Sequence, residues 1–147
     1  MSIHLYQAEK KDLQTICDLL INFKDEDLVD LDYPEVDEPK LKNFINAIIL
    51  QKGKIILLKD LDLDQVIGCT IFHKTEYWFS KSECIHIHTI YVKKSFRNFK
   101  LVTALVDSIK KVAKGLPMYL SVTSGLHIDP VFQKLGFKNL GSNWRLN

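Results

Sequence analysis

A single α+β domain is what the sequence predicts: a mixed, mostly antiparallel central sheet with helices on both faces, in the order β-α-α-β-β-β-α-β-α-β. Short β-rich runs bounded by turn residues alternate with segments whose apolar residues recur at helical spacing. The chain is 147 residues long and 46% hydrophobic, with 26% charged residues and a formal net charge of +2. One domain of this size, spanning 1–147, buries roughly 70% of its unfolded surface, enough for a core. No linker, repeat or low-complexity tract divides it.

Ile3 to Ala8 alternates apolar and polar residues and reads as a strand. Leu13, Ile16, Cys17 and Leu20 then mark a helix, with Asp12 in its first turn where a negative charge favours the dipole. Pro39 suits the first turn of a second helix carrying Leu41, Phe44, Ile45 and Ile48, and Gly53 ends it. Lys54 to Lys59 and Gln65 to His73 read as strands joined by the Asp60–Asp64 turn, and Cys84 to Val92 as a third β run. From Lys100 to Lys114, the residues Val102, Leu105, Val106, Ile109, Val112 and Ala113 form one apolar stripe, closed by Gly115 and Pro117. Met118 to Val122 follows as a strand. Asp129–Pro130 opens a short helix that ends at Gly136, and Phe137 to Leu146 is expected to return as a last strand or two.

Charge is divided unevenly. Residues 1–92 balance at −6 and residues 93–147 at +8. Between Asp25 and Glu38, eight of fourteen side chains are carboxylates. That stretch is either a solvated loop or the approach for a cationic substrate, and it would repel a long polyanion. With no helix-turn-helix or zinc pattern in the basic half, no nucleic-acid partner is expected. Neither a membrane-spanning helix nor an apolar leader is expected, because every apolar run is far shorter than ~20 residues. Cys17, Cys69 and Cys84 form no CxxC pair and read as free thiols of a cytoplasmic protein.

The segment from His86 to Lys114 is a strand, a short basic loop with Lys93, Lys94, Arg97 and Lys100, and an amphipathic helix. Unpaired N–H groups at a helix start, with added basic residues, suit a phosphate; a plain basic surface loop has the same composition. His86 and His88 share one face of their strand. They read as a base with a pKa near 6.5 and its neighbour, or as a pair satisfied by carbonyls; no third ligand is spaced to make a metal site, and none is expected. Tyr91 and Tyr119 are either strand core or proton donors. The Tyr77-Trp78-Phe79 cluster lines an acceptor pocket, meets a protein, or simply packs. Cys84 reads as a small buried hydrophobe.

Ile90-Tyr91-Val92, followed by Arg97 and an amphipathic helix, resembles the acetyl-CoA-binding motif of the GNAT N-acetyltransferases, in which an R-x-x-G-x-G/A loop opens the helix. Phe132-Gln133-Lys134-Leu135-Gly136-Phe137 is similar to that family's Y-x-K-L-G-F helix ending. The resemblance covers the whole chain and implies the fold read above, as one GNAT-like acyltransferase domain. It implies acetyl-CoA as co-substrate and direct acetyl transfer to a primary amine of a small cationic molecule or a protein lysine. Cofactor contacts would come from Ile90, Tyr91, Val92, Arg97, Asn98, Phe99, Lys100, Leu101, Val102 and Phe132. The catalytic residues would be His88, which falls near the family's base carboxylate, with His86 as second choice and Tyr119 as acid.

The sequence departs from the family at specific positions. Lys100 and Val102 stand where it has glycine and glycine or alanine, and Phe132 stands where it has the tyrosine acid. Gly125 falls where many members carry asparagine. A similar basic, glycine-poor loop and a Val-Thr-x-Gly ending like Val122-Thr123-Ser124-Gly125 occur in GNAT-like proteins of tailed bacteriophages. The losses also fit a second reading, a catalytically degenerate GNAT fold that serves as a binding or structural protein, such as a virion component or host-protein binder. A protein partner or homodimer is compatible with either, and the location is then host cytoplasm or virion.

Overall fold

The structure, a computed structural model, describes residues 1–51, 53–121 and 129–147. Strand β1 (Ile3–Gln7) leads to helices α1 (Leu13–Asp27) and α2 (Glu38–Leu50). Strands β2 (Lys54–Asp60), β3 (Gln65–Glu76) and β4 (Glu83–Val92) follow, then α3 (Phe99–Ala113), β5 (Met118–Leu120) and α4 (Asp129–Lys134). The sheet runs in the order β1-β2-β3-β4-β5. Its first three pairings are antiparallel, and β4 with β5 is parallel.

Helices α1 and α2 cover one face, where Ile16, Cys17, Leu19 and Ile45 meet Ile55, Leu57, Cys69, Ile71 and Tyr91. Helix α3 covers the other, with Leu101, Val102 and Leu105 against Leu58, Ile67 and Val92, and Ile109 and Ala113 against Ile56, Phe72, Ile85 and Ile87. Burial on both faces explains why Ile55 to Leu58 is continuously apolar instead of alternating. The starts of α2 and α3 are capped locally. The Asp37 side chain accepts from the N–H of Lys40, and that of Asn98 from the N–H of Leu101. Gly136 at φ +93° closes α4. Gly68 packs so tightly against β4 that an added Cβ would lie 2.7 Å from the Tyr91 carbonyl oxygen, so any side chain there would force the strands apart.

Helix α1 extends into the acidic stretch as far as Asp27, further than its apolar repeat predicts. The expected last strand does not form: residues 137–147 have no regular secondary structure. Asn139 turns its side chain back to accept from the N–H of Gly141, a local bond that competes with a ladder, and Leu140, Trp144 and Leu146 are exposed. Residues 122–128, which include the end of the predicted fifth strand, Gly125 and the Val122–Gly125 ending, lie outside the described residues.

Candidate active site

An irregularity in β4 creates the site. Ile71 of β3 faces Thr89 and Phe72 faces Ile87, so His88 is an extra residue bulged out of the ladder. The Thr70 hydroxyl donates to the Thr89 carbonyl at 2.9 Å and fixes the strand just beyond. Pairing with β5 reaches Ile87↔Leu120 and goes no further among the described residues. From His88 to Val92, β4 therefore presents an outer edge without a strand partner among those residues.

On the α2 face, the bulge gathers histidines. His88 Nε2 lies 2.8 Å from His73 Nδ1, and the two rings stack at 4.7 Å. The His86 ring stands edge-on to His88, also at 4.7 Å. Phe44 of α2 meets the His88 ring edge-on at 6.3 Å. His88, His73 and Phe44 border a cavity of about 530 Å³, lined also by Ala47, Ile48, Gln51, Gly53, Phe72 and Lys74. Burial pushes the His88 imidazole down to about 4, with the like charges of His86 and His73 adding to the effect. Burial, then His73, also lowers His86. His88 is thus neutral at pH 7. In the tautomer that donates Nε2–H to His73, its Nδ1 lone pair is free to accept a proton.

Tyr119 stands opposite His86 in the β4–β5 register and shares its face. Its hydroxyl lies 2.8 Å from that of Tyr77. That bond, with burial, pushes the Tyr77 phenol up to about 12. Tyr91 points elsewhere. It is buried beneath α1 and donates its O–H to Glu26, which with burial raises its pKa and takes it out of contention as an acid. Cys84 is buried and free, as are Cys17 and Cys69.

The loop after β4 is held by the acidic stretch. The Glu26 carboxylate accepts from the N–H of Lys94 at 3.0 Å. The Arg97 guanidinium donates to both Asp27 oxygens at 3.0 and 3.1 Å, and its Nε to the Val92 carbonyl at 3.0 Å. Burial raises the Asp27 carboxyl despite that partner. The charge of Arg97 is therefore already matched, while Lys94 and Lys100 are exposed. Leu101 and Val102 turn their side chains into the core, which leaves only their backbone for a ligand. At the start of α3, the N–H groups of Phe99 and Lys100 lie in the first turn, where no intrahelical partner exists. Phe99 sits under Lys134 Nζ at 4.9 Å. Phe132 is buried edge-on to Phe137 at 5.5 Å.

His73 and Phe44 are the site residues that sequence reading missed. The pairing of Glu76 with Glu83 across the hairpin sets His73 opposite His86, so hairpin symmetry was the available signal. Among the described residues, no group of three or more His, Cys, Asp or Glu side chains is arranged to hold a metal ion. None of their helices is long and apolar enough to cross a membrane.

The family model described as Acetyltransferase (GNAT) family matches residues 14–137. Among solved structures, a possible acetyltransferase from Clostridium difficile 630 is 20% identical with a TM-score of 0.77, over 100% of this chain and 97% of that one. A predicted acetyltransferase from Clostridium acetobutylicum, crystallised with acetyl-CoA, is also 20% identical at a TM-score of 0.77, over 99% and 96% of the chains. An aminoglycoside 6'-N-acetyltransferase from Acinetobacter baumannii is 16% identical at 0.73, over 99% and 97%. No curated protein matches the chain.

Proposed function

The chain belongs to the acetyltransferase (GNAT) family, and from that premise we propose that it transfers the acetyl group of acetyl-CoA to a primary amine, with His88 as base. The observation that carries this reading is the placement of His88, bulged out of β4 where its pairing with β5 stops, with its ring on a cavity.

The residues present suit the co-substrate. The edge of β4 from His88 to Val92, without a strand partner among the described residues, offers backbone donors and acceptors to an extended pantetheine-like chain. The first turn of α3, with Lys100 beside it and Lys93 and Lys94 before it, offers N–H groups and positive charge to a pyrophosphate. Acetyl-CoA, when bound, supplies a thioester whose carbon–sulfur bond breaks as the amine forms its bond to the carbonyl carbon. His88 Nδ1 takes the proton the amine loses, and the His73 contact orients the ring. The Tyr119 hydroxyl holds the proton the leaving sulfur needs. Arg97 acts on the loop from behind, anchoring it to α1 through Asp27. Free thiols and the absence of a spanning helix among the described residues fit a cytoplasmic location.

The exposed tip of the β3–β4 hairpin favours one second reading, a binding module: Trp78 is 95% exposed and Phe79 68%. Incubation with acetyl-CoA and an amine panel, followed by free thiol release and product mass, separates the two. Acetylated amine in the wild type, with a loss of about 100-fold in His88→Ala, is the expected result. Tight acetyl-CoA binding without any product supports the binding module.

A further inference from the structure

The cavity beside His88 carries no side chain suited to a polycation. Its lining is Phe44, Ala47, Ile48, Phe72 and Gly53, with Gln51, His73 and His88 as polar groups. Lys74 is its one charged residue among those described, and it is basic. The carboxylate bonded to that lysine, Glu83 at 3.9 Å, belongs to an ion pair with it. The residues outside the description, 52 and 122–128, include no Asp or Glu. The acidic stretch ends at Glu38, at the far end of α2, and Ala47 lies about 14 Å along the helix axis from it. That separation exceeds the ~8 Å Debye length at physiological salt.

Resting on the acetyl-transfer reading, we infer that the acceptor is an apolar monoamine, an aryl- or alkylamine whose body packs on Phe44, Ala47 and Ile48 with its nitrogen at His88. A polyamine or aminoglycoside would bring further ammonium groups to a lining without a carboxylate, whose one charge, Lys74, is already paired with Glu83. The same lining disfavours the charged form of the reacting amine, and so favours the neutral nucleophile that attack requires. A cavity of about 530 Å³ is of ordinary size for a small ligand. Selectivity then comes from the absence of a carboxylate from the cavity lining among the described residues.

The test compares 2-phenylethylamine with spermidine as acceptors for the wild type, Ala47→Asp and Phe44→Ala. Ala47 and Phe44 are both partly open to solvent, so both variants are expected to fold. Wild type should prefer 2-phenylethylamine in kcat/KM by about 10-fold or more, and Ala47→Asp should reverse the order. Phe44→Ala should lower kcat/KM more for the aryl amine than for spermidine. Equal or better use of spermidine by the wild type, or acetyl-CoA binding with neither amine acetylated, overturns the inference. If acetyl-CoA does not bind, the acetyl-transfer reading fails instead. Saturation-transfer NMR on the protein alone then decides the cavity: transfer to 2-phenylethylamine that is lost in Phe44→Ala upholds its preference, and no transfer overturns it.

Discussion

His88 Nε2 and His73 Nδ1 meet at 2.8 Å across the β3–β4 ladder, at the one point where β4 carries an extra residue. The bulge is what aligns them: it swings His88 out of register toward its neighbour, under Phe44. Partial burial disfavours the charged imidazole, and the neighbouring rings of His86 and His73 add to that resistance. His88 therefore stays neutral far below the usual imidazole range.

A pH profile follows from that neutrality. With His88 lowered to about 4, kcat/KM for an amine should rise with the ionisation of the amine itself and show no inflection near 6.5. A limb near 6.5 that disappears in His88→Gln would contradict it.

Stability should follow the same titration. The folded pKa of His88 lies below its unfolded value of 6.5, so the folded state binds fewer protons. Stability is full above pH 6.5 and falls as the pH drops toward 4, with His86 acting in the same direction. Because His88 is only partly withdrawn from solvent, the loss is about 1 kcal/mol, a few degrees in Tm. Calorimetric scans of wild type and His88→Gln should converge at pH 4.5 relative to pH 7.5.

Asp27 ties α1 to the loop before α3. Its side chain is only 8% exposed and receives two bonds from Arg97. Asp27→Asn weakens a partly buried charge pair and should cost about 2 kcal/mol in denaturant unfolding. It should also weaken acetyl-CoA binding while leaving kcat nearly unchanged. A matching fall in kcat would place Asp27 nearer the chemistry than its contacts indicate.

Tyr119→Phe should lower kcat by about 10- to 100-fold, because the hydroxyl opposite His86 is then missing. Phe132→Tyr restores a hydroxyl at the position where the family's tyrosine stands, and should rescue part of that loss in the double variant. Unchanged turnover in Tyr119→Phe removes Tyr119 as the acid.

Val102 stands where the family has a small residue, yet its side chain fills the core between α3 and the sheet. Val102→Ala should cost about 2 kcal/mol of stability and bring no gain in acetyl-CoA affinity. Tighter binding in that variant would mean that the valine crowds the ligand.

Much of the fold is legible in the sequence because single elements declare themselves. The apolar stripe of α3, the Asp37-Glu38-Pro39 start of α2 and the continuous Ile55–Leu58 run each need only local reasoning. The tail is not legible in that way. Phe137 to Leu146 is expected as a strand, yet it carries Asn139, Gly141 and Asn143, residues depleted in strands, and the Asn139 side chain takes the Gly141 N–H that a ladder would use. The site divides similarly. His86 and His88 are visible as an alternating pair, while His73 becomes a partner only through hairpin register and the bulge. The acidic stretch misleads for a related reason. Glu26 and Asp27 read as part of a solvated loop or of an approach for a cationic substrate, but α1 runs on far enough to deliver them to Tyr91, Lys94 and Arg97.

Titration of acetyl-CoA into the wild type and Lys100→Ala by calorimetry bears most directly on the acetyltransferase reading. Micromolar binding that weakens severalfold in Lys100→Ala is the predicted result, with the pyrophosphate at the start of α3. No heat of binding at millimolar acetyl-CoA would contradict it.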